Sequence, residues 1–436
     1  MDKIILYTKY RNGVDVMLIN DVLFVKGSSG FYFDDQKAIK SGAVADGFTY
    51  KGEPLTPGFS RIRQGGEAVS IMLFLENGEI AVGDCVAVQY SGVDGRDPVF
   101  LADNFLRVLE EEIKPKLVGY NLLSFKEAAW YFDNLTDKQG KKYHTALRYG
   151  LTQALLDAVA KINHSTMAEV IAKEYGLKLL LNPVPLFAQS GDDRYTNADK
   201  MILKRVDVLP HGLFNHPSKI GAEGKDLTEY ALWLKQRVKV LGDPDYLPIF
   251  HFDVYGTLGI VFSDNLDQVA EYLARLEERV YPHLLRVEGP VDLGSKERQI
   301  EGLRYLQEKL YSLGSKVVVV ADEWCNNLAD IKEFVDARAG LMVQIKSPDL
   351  GGVNDIIDAV LYAKGNGIGA YLGGSCNETD ISAKVSVHVG LATGPDQLLV
   401  KPGMGVDEGL TIMRNEMLRT LAILKKNKSL IQKKVG

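Results

Sequence analysis

Only three cysteines, Cys85, Cys325 and Cys376, occur in 436 residues, and no two of them form a CxxC pair. That scarcity excludes a disulfide scaffold and a zinc ribbon, and it suits reduced thiols in a cytoplasmic setting. No apolar run reaches the ~20 residues that a membrane-spanning helix needs. The longest, VSIMLFL and KVVVVA, read as buried strands. The N-terminal stretch MDKIILYTKYRNG has too short an apolar core for a secretory signal, so no export is expected. Basic blocks are confined to a short KKNK and QKKVG tail, and with a net charge of -6 the chain is not expected to bind nucleic acid. A GxxxxGK(S/T) phosphate loop is missing, and GMGVDEG lacks the preceding strand of a dinucleotide fingerprint, so neither ATP nor a nicotinamide cofactor is expected.

What is present is ample core material. Hydrophobic residues make up 46% and charged residues 25%, the balance of an ordinary globular protein. The length exceeds what one hydrophobic core fills, so two domains are expected, with room in one for a barrel of roughly 250 residues. The first third reads as α+β. Alternating segments such as VSIMLFLENGEIAVGDCVAVQY carry an Asn77-Gly78 hairpin turn, and helical patterns follow over VFLADNFLRVLEEEIKPKL, SFKEAAWYFDNL and HTALRYGLTQALLDAVAKI. Two glycine-bearing segments, GSSGFYFDDQ and TPGFSRIRQGG, read as loops of the kind that form a lid.

From about Pro183 the rhythm changes to short apolar strands separated by amphipathic helices, the signature of consecutive βα units. The strands are PLFAQS, a weaker candidate in KRVDVLPHGLF, then LPIFHFDV, HLLRVE, KVVVVAD, LMVQIK, IGAYLGG and QLLVK. In NLDQVAEYLARLEERV, Leu266, Val269, Ala270, Leu273 and Leu276 share one helical face, with Asp264 or Asn265 as N-cap. Eight strands suit a closed α/β barrel of the (β/α)8 type better than an open sheet. The expected division is an N-terminal α+β capping domain over 1–178 and a catalytic barrel over 179–436, with a C-terminal tail that could pack back on the cap.

In such a barrel the residue ending each strand faces the catalytic mouth. Successive strands end in Asp253, Glu288, Asp322 and Lys346, spaced 35, 34 and 24 residues apart, about one βα unit each. Gln344 lies two residues before Lys346 on the same face. Any one acid alone is more often a surface or ion-paired residue. Three carboxylates converging on one mouth repel one another unless a cation neutralises them, and hard oxygen donors select magnesium, manganese or calcium, magnesium being the simplest choice. Beside such a cation the ammonium form of Lys346 is disfavoured, which frees the amine as a base. His251 shares the face of Asp253 and reads equally well as a core histidine or as a group behind the metal. Cys376 follows a strand, but no triad-like order of histidine and aspartate makes it a nucleophile.

Seven motifs, VPLFAQSGDDRY, FHFDVYGT, LRVEGP, VADEWCN, VQIKSPDLGGVND, GGSCNET and KPGMGVDEG, closely resemble in order and spacing those of the methylaspartate ammonia-lyases of the enolase superfamily. The likeness runs from GFYFDDQ to the end of the chain. It implies an enolase-like fold and a cytoplasmic homodimer. The activity implied is reversible, magnesium-dependent loss of ammonia from L-threo-3-methylaspartate, an amino diacid, to give mesaconate, with potassium as a further cation. By the same resemblance Asp253, Glu288 and Asp322 hold magnesium, Lys346 removes the C3 proton, and His211 is the acid/base on the opposite face, linked to the erythro epimer. Gln189, Gln344, Cys376 and Gln89 fall where the family contacts substrate. Ser375 stands where threonine is expected, a change that keeps the hydroxyl.

Two rival readings differ in class. One is another superfamily reaction on a carboxylate, a dehydration, cycloisomerisation or epimerisation; the matches outside the metal ligands and the missing KxK pair on the second barrel strand weigh against it. The other is an inactive barrel serving as a scaffold, against which stands the presence of all four metal and base positions.

Overall fold

The computed structural model describes residues 17–93 and 95–435, and the N-terminal stretch weighed above as a signal lies outside the described residues. The first strands are β1 (Ile19–Asp34), β2 (Val44–Asp46), β3 (Thr49–Lys51), β4 (Arg63–Leu75) and β5 (Ile80–Cys85). Strands β1, β4 and β5 form an antiparallel sheet in that order, and β2 and β3 make a separate hairpin. Along β4, Val69, Ile71, Leu73 and Leu75 are buried, the period-2 pattern of a sheet covered on one face. The Asn77-Gly78 turn joins β4 to β5 as its sequence predicts, with Gly78 at φ 85°. The covering element is the helix Thr145–Ile162. It approaches so closely that a Cβ on Gly83 would lie 2.1 Å from the Gly150 carbonyl oxygen.

One segment departs from its expected loop. Residues 27–34 of GSSGFYFDDQ are the second half of β1, which pairs through to Arg63 across a register shift between Ser28 and Tyr32. Glycine and serine weaken strand propensity, but a paired neighbour outweighs it, and the strand carries Asp34 to the barrel mouth. TPGFSRIRQGG is irregular only through Ile62, after which β4 begins.

Eight parallel strands follow, each inside one of the predicted runs: β6 (Leu186–Phe187), β7 (Val208–His211), β8 (Ile249–Asp253), β9 (Leu285–Glu288), β10 (Val318–Ala321), β11 (Met342–Ile345), β12 (Gly369–Leu372) and β13 (Gln397–Leu399). They close into a barrel in chain order, β13 pairing back onto β6. Inside it, Phe187, Val208, Val320, Met342, Tyr371 and Leu399 form a separate apolar plug. The larger core lies between the strands, their helices and the N-terminal sheet. In the helix Leu266–Val280, Asn265 is the cap, its side chain accepting from the Gln268 N–H, and Val269, Ala270, Leu273 and Leu276 are buried. Each valine or leucine among them contributes about 1.5–3 kcal/mol by burial.

The C-terminal helix Asp407–Val435 lies against the helix Asp380–Thr393, where His388 Nε2 is 3.2 Å from Glu416 Oε1. Further along, Asn427 donates to Glu169 at 3.0 Å, on the helix Met167–Tyr175. No described helix is long and apolar enough to cross a membrane. Cys85, Cys325 and Cys376 are buried and unbridged.

Candidate active site

Parallel strands closing a barrel bring their C-terminal ends to one rim, so residues far apart in the chain meet there. Asp253 ends β8 and pairs in register with Glu288, which ends β9; Asp322 follows β10 directly. These three buried carboxylates each place an oxygen within 4.8 Å of the others. Burial, and then the charges of Asp253 and Asp322, push the Glu288 carboxyl well above the usual carboxylate range. Burial likewise raises Asp322 to about 6, with Lys346 opposing the shift and Glu323 and Asp253 adding to it. A set of three hard oxygen donors with too little positive charge among them fits a divalent cation, and Asp253, Glu288 and Asp322 are the residues that would hold it.

Lys346 follows β11, and its Nζ lies 2.9 Å from Asp322 Oδ1. Burial disfavours its ammonium form, but Asp322, Glu323 and Asp349 outweigh burial and hold the group above the ordinary lysine range. The sequence predicts an amine freed beside a cation; in the structure Asp322 serves as the lysine's counter-ion and favours its charged form. His211 ends β7, four strands from β11 in the eight-stranded ring, and so faces Lys346 across the barrel. Its Nε2 is 3.3 Å from Asp253 Oδ2.

Around this mouth four buried polar atoms have no hydrogen-bond partner among the described residues: Gln189 Nε2, His211 Nδ1, Gln344 Oε1 and Tyr371 OH. All four side chains line one cavity of about 70 Å³ together with Asp253, Asp322 and Lys346. Buried polar groups are normally satisfied, so a cluster of orphans on one cavity marks the place of a compact polar ligand. Gln344 also donates from Nε2 to Glu288 Oε1, which ties it to the carboxylate group as well as to the cavity.

The N-terminal part of the chain completes the wall. Arg63 grips Asp34 through Nε at 2.7 Å and Nη2 at 2.6 Å, and Asp34 accepts from Gln89 Nε2 at 2.7 Å. With its amide nitrogen so engaged, Gln89 turns Oε1 to Cys376, whose thiol donates to it at 3.4 Å. Burial pushes the Cys376 thiol up to about 12, so it stays protonated and is no nucleophile. Ser375 lies beside it on the same cavity, its Oγ accepting from the Asn377 N–H at 3.2 Å. Cys376→Ser is expected to keep turnover within about tenfold, the worth of one neutral hydrogen bond, by steady-state kinetics. A loss comparable to removing a general base would make the thiol a reacting group.

Every residue singled out in the sequence therefore reaches one region. Several others there escaped notice. Tyr371 and Leu399 line the cavity from β12 and β13, and strand alternation from Gly373 and Lys401 places both on the inner face. Arg96 has no such signal. It comes from an irregular stretch of the N-terminal part, its side chain is only 5% exposed, and it pairs with Asp349 at 2.9 Å while lining the same cavity as Lys346.

Comparison with known proteins gives a consistent result. Residues 17–176 match the family model described as methylaspartate ammonia-lyase N-terminus, and residues 178–426 match that of the C-terminus. Methylaspartate ammonia-lyase 1 of Carboxydothermus hydrogenoformans is 86% identical over 420 residues, covering 96% of this chain and all of that one. The crystal structure of beta-methylaspartase from Clostridium tetanomorphum, a magnesium complex, is 54% identical with a TM-score of 0.91, covering 94% of this chain and 100% of that one. That of the Citrobacter amalonaticus enzyme containing (2S,3S)-3-methylaspartic acid is 53% identical with a TM-score of 0.92 and the same coverage. Muconate lactonizing enzyme from Pseudomonas fluorescens, at 16% identity and a TM-score of 0.59 over 88% of this chain and 87% of that one, shares the fold.

Proposed function

The chain belongs to the methylaspartate ammonia-lyase family and is a carbon–nitrogen lyase, and from this premise we propose that it removes ammonia from L-threo-3-methylaspartate to give mesaconate, with magnesium as its cation. The observation that carries the reading is a cluster of three carboxylates, two of them lining a cavity that a lysine, a histidine opposite it and side chains with four polar atoms unpartnered among the described residues also line.

Magnesium held by Asp253, Glu288 and Asp322 would supply positive charge where negative charge develops on the substrate carboxylate next to C3. Asp322 is also the counter-ion of Lys346. A cation engaging Asp322 would take that partner from Lys346, whose amine lines the cavity as the base for the C3 proton. The C3–H electron pair becomes the C2=C3 double bond, and the C2–N bond of the ammonium substrate breaks with its electrons leaving on nitrogen as ammonia, while the C3 proton stays on Lys346 and passes to solvent after the products leave. Gln189, Gln344 and Tyr371 offer an unpartnered amide N–H, carbonyl and hydroxyl to the substrate's polar groups. Cys376 and Gln89, already paired to each other, wall the cavity and exclude water.

His211, across the barrel, is placed for the proton of the epimer whose C3–H points the other way. His211→Ala is expected to abolish deamination of the erythro epimer while the threo substrate retains more activity than in Lys346→Ala, measured as rates of mesaconate formation. Equal loss on both epimers would remove this division of labour. The proposal as a whole is tested by incubating the protein with L-threo-3-methylaspartate and magnesium and following the absorbance of the conjugated diacid together with free ammonia. Hydroxy diacids turned over in preference to the amino diacid would favour a dehydratase instead. A potassium requirement and a two-subunit assembly belong to the same proposal, checked by replacing potassium with sodium and by light scattering.

A further inference from the structure

Beneath the carboxylates a line of polar side chains crosses the barrel interior. Arg286 of β9 donates from Nη1 to Gln397 Oε1 on β13. Gln397 Nε2 lies 2.9 Å from His251 Nδ1, and His251 Nε2 lies 2.9 Å from Glu288 Oε2. The histidine is 0% exposed and stacks on Phe187 with ring centroids 4.3 Å apart.

The chemistry of this line has one direction. A guanidinium has donors only, so Gln397 must turn its carbonyl oxygen toward Arg286. Its amide nitrogen then faces His251 and donates, which requires a bare Nδ1. The single imidazole proton therefore sits on Nε2 and is given to Glu288. The other Glu288 oxygen takes the Gln344 amide N–H. Both oxygens of the middle member of the triad are thus held by fixed donors, although Asp253 and Asp322 on the flanking strands repel it.

We propose that Arg286 and Gln397 set the tautomer of His251, and that His251 is thereby the positioning residue that holds the Glu288 carboxylate ready for a divalent cation. This rests on the reading that Glu288 is one of the residues that hold the cation. The opposite tautomer would present a lone pair to Glu288 and push the carboxylate away.

Two measurements test it. Long-range proton–nitrogen NMR of the wild-type protein should show the His251 proton on Nε2; a proton on Nδ1 overturns the proposal whatever any variant does. Calorimetric titration with magnesium chloride, without substrate, should show Gln397→Leu and His251→Phe binding about 10- to 100-fold more weakly than wild type, the range known for groups behind a metal ligand. His251→Gln, which can still donate, should recover part of that loss. Circular dichroism and thermal unfolding identify any variant that fails to fold, and the NMR result then decides alone. Magnesium binding at wild-type strength in folded Gln397→Leu and His251→Phe sinks the positioning role but leaves the cation site standing. No magnesium binding by the wild type overturns both.

Discussion

Replacing Lys346 with alanine lowers turnover of L-threo-3-methylaspartate by about 10²- to 10⁴-fold, the contribution of a positioned general base, and leaves magnesium binding intact. The two effects separate because Lys346 has no oxygen to offer a cation, while Asp322, its partner at 2.9 Å, is one of the three residues proposed to hold it. Removing the ammonium also removes a positive charge that competes for Asp322, so magnesium should bind at least as tightly as before. Lys346→Arg is expected to be as inactive as the alanine variant, since a guanidinium stays protonated and cannot accept the C3 proton. Rates of mesaconate formation and a magnesium titration on the same samples check both halves. Near-normal deamination of the threo substrate by Lys346→Ala would assign the base to another group.

A second large effect is expected away from the chemistry. Lys401, just after β13, and Glu378 are both 0% exposed and form an ion pair at 2.7 Å. Lys401 also donates to the Gly373 carbonyl at 2.8 Å, and Tyr149 of the N-terminal domain donates to Glu378 Oε2 at 2.9 Å. The Glu378 carbonyl accepts from the Gly30 N–H at 3.0 Å. The pair therefore joins three parts: the last barrel strand, the loop carrying Ser375 and Cys376, and the N-terminal domain. Lys401→Met strands the Glu378 carboxylate in a dry site, which costs about 3–5 kcal/mol. Pairing that change with Glu378→Leu removes the stranded charge and should return part of the stability, because an apolar pair often replaces a buried ion pair without loss. Denaturant unfolding of the two variants measures the difference. If Lys401→Met unfolds like the wild type, water reaches Glu378 and the pair does not join these parts.

Further contacts line the mouth from the N-terminal side. Arg96, Gln89 and Asp34 come from the N-terminal domain, and each meets a barrel residue or the group that holds one: Asp349, Cys376 and, through Gln89, Cys376 again. Weakening Lys401–Glu378 should therefore raise KM before it lowers kcat, since it loosens the wall around the substrate and leaves Lys346 on its own strand.

Much of this protein is legible in its residues taken in order. The eight barrel strands stand out because each is a short apolar run bounded by polar or glycine residues. Period-2 alternation then puts Asp253, Glu288, Asp322, Gln344 and Lys346 on the inner face without reference to any contact. Asn265 as a cap and Asn77-Gly78 as a turn are equally local, since each depends on hydrogen bonds or dihedrals within a few residues. What the sequence determined by itself is thus the barrel, its polarity and the chemical character of its rim. Only the tertiary structure decided which residues finish the site. The course of β1 through two glycines depends on pairing with β4, the orientation of His251 on an arginine and a glutamine from two other strands, and the place of Arg96 on how one domain sits on the other. These are contacts between residues tens to hundreds of positions apart, and no local periodicity encodes them, because their geometry exists only in the closed barrel with the N-terminal sheet against it.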